Sequence, residues 1–286
     1  ILRYSLAAKL IYFAQTIDPR IVAPFAEHFD EIMRNTYLKI IDLENINADQ
    51  RVQLSLPLRH GGCGLRTHAM SELQRLFVSP SLLVAPVVLD ATGIATLRRL
   101  APAAVDADEN DFSCPAEHSL RSCIDDLQLA GISKPDFDLP GPIASKAWAT
   151  GAAEKLSKRT TAELVASFEN LPEVECKHAK ARLLSCGGIG AQWLAQAPTC
   201  HLTQLPDADM YSAIRLRLGA DTFCGEICPH INADGTECGA ACDRLGRHLL
   251  SCPSGGGYFI GHDNVCATYC QLAAGADGIP GVVAAW

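Results

Sequence analysis

The sequence predicts a mainly α-helical protein with a small zinc-binding module near its C-terminal end. Three observations lead there. Apolar residues recur at three or four positions in the opening residues and again in later segments. Strand-like alternation is confined to Gln53–Leu58 and the neighbourhood of the clustered cysteines. Seven of the 13 cysteines lie between Cys224 and Cys270, a clustering that favours a metal over scattered structural thiols. The chain divides on this reading into a helical region at 1–75, a proline-rich, acidic connecting region at 76–150 and a helical linker at 151–222. A zinc module at 223–257 and a C-terminal segment at 258–286 follow.

Leu2, Leu6, Leu10 and Phe13 set the period of a first helix, which Asp18-Pro19 breaks because proline disfavours helix in the residue before it. A second helix is expected from about Pro24, a good first-turn residue, with Phe25, Phe29, Ile32, Met33, Thr36, Tyr37 and Ile40 as its core stripe. Leu54, Leu56 and Leu58 alternate and predict a short strand. Gly61, Gly62 and Gly64 then form a turn flanked by Arg59, His60 and Arg66. That turn is either a nest of backbone amides able to hold a phosphate or a tight loop with solvated charges, and the residues favour the loop.

Prolines punctuate residues 76–150, and Asp125-Asp126 lies in a helical pattern without an aromatic at polymerase spacing. A helix is expected over 151–172, ending before Pro172. The next helix carries Lys177, His178, Lys180 and Arg182 along a polar side. "GGIGAQWLAQAP" reads as a hinge leading to a buried tryptophan. The helix after it places Tyr211, Ile214 and Leu218 inward and Arg215 and Arg217 outward, with Asp207 or Asp209 as cap.

The stretch from Cys224 to Cys252 carries the chemistry. Zinc takes four nitrogen or sulfur ligands in a tetrahedron. His248 and Cys252, at i and i+4, share one helical face. Cys228 and Cys238 are the first choice of partners, with Cys224 and Cys242 as alternatives. Four protein ligands leave no open position for water, so the metal's role is structural. "PSGGG" lacks the lysine of a phosphate-binding loop. His262 has no convincing catalytic constellation around it.

Net charge bounds the function. At −8, the surface as a whole does not attract nucleic acid. Basic and acidic residues balance only in 1–75 and 151–222, so a nucleic-acid grip belongs in those segments. No run is long and apolar enough for a membrane span and no secretory segment opens the chain, which points to an intracellular protein, nuclear or cytoplasmic. Ile1 at the start of a helical pattern is read as the edge of a longer protein.

The order of these motifs resembles the part of a non-LTR retrotransposon polyprotein that follows the reverse-transcriptase palm. "LRYSLAAKLIYFAQTI…P…FAEHFDEIM" resembles the helical thumb, and "LPLRHGGCGLRT" is similar to the segment that closes it. "GGIGAQWLAQAP…LPDADMYSAIRLRLG" resembles the linker helices. Cys238-Gly239, Asp243, Gly246, His248, Leu250 and Cys252 look like the family's CCHC zinc module. "GHDNV" stands where an Arg-His-Asn stretch is usual, with Gly261 in place of the arginine. The palm's aromatic-x-Asp-Asp motif is absent. The resemblance therefore implies a non-catalytic fragment that handles RNA or DNA through its thumb and zinc module. Phosphate contacts would come from Arg59, Arg66, Lys177, Lys180, Arg215 and Arg217. The alternative is a zinc-stabilised helical module that binds a protein partner, which the acidic balance favours.

Overall fold

A computed structural model describes residues 9–81, 115–133, 141–195, 205–222, 227–232, 234–254, 263 and 265–267. It is mainly α-helical. Among the described residues the only β pairing is two isolated antiparallel bridges. The chain forms two compact units, Ile1–Tyr211 and Ser212–Trp286. No helix of the described residues is long and apolar enough to cross a membrane.

The first unit opens with α1 (Lys9–Thr16) and α2 (Pro19–Ile40). The break at Asp18-Pro19 is where the period placed it, but α2 begins there and not at Pro24. Asp18 accepts a hydrogen bond from the Arg20 amide at 2.9 Å, and Pro19 occupies the first turn. Pro24 lies one turn inside. The buried line of α2 follows the expected one only in part, with Met33 buried and Phe29, Thr36 and Tyr37 half-buried. Val22, Ala26, Met33 and Leu38 are buried, while Phe25, Ile32 and Ile40 are exposed. Small side chains let α2 approach α1 and α4 (Met70–Ser81), where Ala14, Val22, Ala26, Leu73 and Leu76 share a core.

Gln53–Leu58 is not a strand. α3 (Ala48–Ser55) ends inside it, started by a capping box in which Asn47 and Gln50 exchange side-chain and backbone bonds at 2.8 and 2.9 Å. That local signal outweighs three alternating leucines. A single 3-10 turn at Leu58–His60 follows, then the glycines. A Cβ on Gly62 would stand 1.9 Å from the Leu56 carbonyl oxygen, and one on Gly61 would stand 2.5 Å from that of Leu183. The loop thus fits tightly against α7 (Glu173–Ser185). The buried Gln53 bridges them, donating to the Gly61 carbonyl at 3.0 Å and accepting from Arg182 at 2.7 Å.

The connecting region contributes a core helix, α5 (Pro115–Leu129). Leu120, Cys123, Ile124 and Leu127 pack with Val78 of α4 and Ala152 of α6 (Gly141–Ser167). Burial pushes the Cys123 thiol up to about 12, the mark of an inert packing cysteine. Asp126 accepts a hydrogen bond from Gln74 at 2.6 Å, an ordinary helix-face role. α6 starts ten residues before the expected Gly151 and ends before Pro172 as read. Leu164, Phe168, Cys176 and Leu183 join its end to α7 and to Leu56. Trp193, in the 3-10 segment Gly188–Leu194, is half-buried where the sequence suggested full burial.

Candidate metal centre

α8 (Asp207–Leu218) begins in the first unit and runs on into the second, burying Ile214 and Leu218 as its period requires and leaving Tyr211 half-buried. Arg217 is buried beside them, against the expectation that Arg215 and Arg217 both face out. Two residues apart on a helix they point to nearly opposite sides, so one must turn inward when the other does not. Past α8, Thr222 donates to the Arg244 carbonyl at 2.9 Å, and Arg244 pairs with Asp221 at 2.8 Å.

A short hairpin follows, marked by the bridges Ile227–Ala241 and Ile231–Glu237. The Cys228 amide donates to the Ala240 carbonyl at 2.9 Å and that of Cys238 to the His230 carbonyl at 2.8 Å. The tip is held by Asn232 and Thr236, whose backbones meet at 2.7 Å, and by Asp234, which accepts from the Thr236 amide and hydroxyl. Those two bonds hold the Asp234 carboxyl below its usual range. Ten residues separate Cys228 from Cys238 in sequence; the hairpin folds them side by side.

Gly246, in the left-handed region at φ 65°, turns the chain into α9 (Arg247–Ser251). The Asp243 carboxylate caps it, accepting from the amides of Arg247 at 2.5 Å and His248 at 3.3 Å. His248 and Cys252 then face the hairpin. The Sγ of Cys252 lies 3.6 Å from the Sγ atoms of both Cys228 and Cys238, and Cys238 Sγ lies 3.3 Å from His248 Nε2.

All four ligand atoms lie within 4.8 Å of one another and could hold a metal ion such as zinc. A tetrahedron with zinc–sulfur bonds of about 2.3 Å has sulfur–sulfur edges of about 3.8 Å and sulfur–nitrogen edges of about 3.6 Å. The observed separations are close to these. Cys228 and Cys252 are buried, Cys238 and His248 half-buried. The Ala240 amide and the His248 imidazole bring the Cys238 thiol down to about 6, toward the thiolate form that a metal takes. Burial pushes the Cys228 thiol up to about 11, a proton that a metal would displace. Cys242 packs against Cys228 and Cys252 without joining the four. Cys224, the other alternative ligand, and His262 lie outside the described residues.

The six basic residues are distributed over both units. Arg59 pairs with Glu154, and Arg66 stands 3.9 Å from Glu72. On α7, the exposed Lys177 pairs with Glu173 at 2.5 Å and the half-buried Lys180 with Glu169. Arg215 is half-buried. The glycine turn offers no amide nest: the amides of His60, Gly61, Gly62 and Gly64 are donated to Pro57, Leu58, Pro57 and Leu56.

Sequence reading missed the Asp30–His68 pair. The fully buried His68 takes Asp30 on its Nδ1 at 2.8 Å and on its amide at 2.5 Å, with the Phe29 ring edge-on at 5.6 Å. It fastens α2 to the entrance of α4. The 38-residue separation left no local signal for it. No family model, curated protein or solved structure matches the chain.

Proposed function

We propose that this chain positions nucleic acid without chemistry of its own, as the thumb, linker and zinc-module portion of a retroelement reverse transcriptase. The Cys228–Cys238–His248–Cys252 cluster carries the reading. It is a compact set of three sulfurs and one nitrogen, closed by protein on four corners, in the motif order described above. The metal is zinc and its role is structural, because four protein ligands leave no coordination site for a substrate or water. Arg59 and Arg66 supply backbone contacts within residues 1–75, where basic and acidic residues balance.

Binding of duplex and single-stranded oligonucleotides to the zinc-loaded chain tests this. Log affinity should fall linearly with log salt, by about 0.9 per phosphate neutralised on a duplex. Undetectable binding at low salt would refute it. One observation favours a protein partner instead. Ile21, Phe25, Ile32 and Ile40 along α2, with Tyr12 and Phe13 on α1, are exposed large apolar residues. Patches of that kind mark interaction sites on many soluble proteins.

A further inference from the structure

The first unit contains a cleft of about 670 Å³ between the segment Ser55–Thr67, α4 and α6. Its volume falls in the range of small-molecule and cofactor sites, about 300–1,000 Å³. Two kinds of surface meet in it. Leu56, Leu58 and Leu156 supply an apolar wall. Arg59, Arg66 and Arg75 supply three guanidinium groups.

The charge balance is positive. Glu72 lines the cleft and is shared by Arg75, at 3.0 Å, and Arg66, at 3.9 Å. Glu154 answers Arg59. Three cations therefore face two carboxylates, and the carboxylates do not use them equally. Arg75 is engaged through two nitrogens by Glu72 and is nearly buried. Arg66 is more than half exposed and too far from Glu72 for a hydrogen bond. Its donors remain available to an anion, in a fork that matches phosphate oxygens. The hydroxyls of Thr67, Ser71 and Thr160 also line the cleft and have no hydrogen-bond partner among the described residues. A concave site with low-dielectric walls strengthens the field of the excess positive charge.

We propose that this cleft binds a phosphate-bearing organic anion of nucleotide size. The phosphate would sit on Arg66 and Arg59 with the free hydroxyls, and the apolar portion would lie against Leu56 and Leu156. The ligand is either a free nucleotide or one nucleotide unit of a strand, since both present the same group. The inference does not depend on the nucleic-acid reading above: a free nucleotide meets the same residues if the chain never touches a strand.

The zinc-loaded full chain should be titrated with a nucleoside monophosphate, with inorganic phosphate and with a fluorescent single-stranded oligonucleotide. Three variants accompany it. Arg66→Glu reverses the available charge, Thr160→Trp fills the cleft without changing charge, and Lys39→Glu alters an exposed cation outside it. Thermal melting identifies any variant that has lost its fold, and Arg66→Gln replaces Arg66→Glu in that event. The monophosphate should bind more tightly than inorganic phosphate; Arg66→Glu should weaken it about tenfold or more, as loss of a charge-assisted bond implies, and Thr160→Trp about tenfold or more by taking the space the ligand would fill. Lys39→Glu should leave it unchanged. Binding of the monophosphate alone assigns the free source; cleft-dependent binding of the oligonucleotide assigns the strand. No binding of either ligand, or binding that the two cleft variants leave intact, overturns the proposal.

Discussion

His248→Ala isolates the metal centre from the rest of the protein. The substitution removes a neutral ligand, so the charge of the cluster is unchanged. It also leaves the Asp243 cap in place, because that cap uses the His248 amide and not its ring. Structural zinc sites bind with about 10–16 kcal/mol of apparent free energy, and that binding is folding energy. With four ligands at similar separations, one accounts for about a quarter of it. The expected loss is about 3 kcal/mol, about a hundredfold in zinc affinity. Among the described residues the module's core is small: Cys228, Cys242 and Cys252, with Cys238 and Leu249 packed on them. Zinc content after dialysis against a buffered free-zinc series reads the affinity. Amide exchange over residues 227–252 reads the order. The variant should release zinc at a free concentration where the parent keeps about one per chain, and exchange in 227–252 should rise while α2, α4 and α6 stay protected. Equal zinc retention, or a metal-free parent with 227–252 fully protected, refutes the reasoning.

Asp243→Ala should lower stability by about 1 kcal/mol through loss of the α9 cap, and lower zinc affinity about tenfold by loosening His248; the same zinc series measures it. Gly62→Ala should cost about 3 kcal/mol in urea unfolding, since its Cβ falls 1.9 Å from the Leu56 carbonyl and the backbone must move. Glu154 is pushed up by burial but pulled further down by Arg59, His60 and Lys158, so its folded value lies below the usual 4.5. Its stabilisation is therefore present above 4.5 and lost as pH falls through the lower folded value. Glu154→Gln should destabilise by less than about 1 kcal/mol near neutrality, with no difference once the parent carboxyl is protonated. Urea midpoints across the acid range check this.

The sequence by itself determined the helical class and half of the metal centre. An i,i+4 pair such as His248 and Cys252 needs only one turn of helix to converge, and the break at Asp18-Pro19 is set by proline's own stereochemistry. Local residues also fixed the interior side of α8 at Ile214 and Leu218. Tertiary structure decided the rest. Cys228 meets Cys238, the first choice of partners, only because hairpin hydrogen bonds close ten residues, and Cys242, the alternative, is left beside the cluster. α2 carries large and small apolar residues on different sides, and periodicity does not say which side finds a partner; close packing against α1 and α4 selected Val22 and Ala26. The leucines at 54, 56 and 58 alternate as a strand would, yet a capping box begun at Asn47 commits their segment to the end of a helix. Arg59, Arg66 and Arg75 come to one cleft by the packing of α4 and α6 around a glycine turn, a convergence that no spacing in the chain encodes.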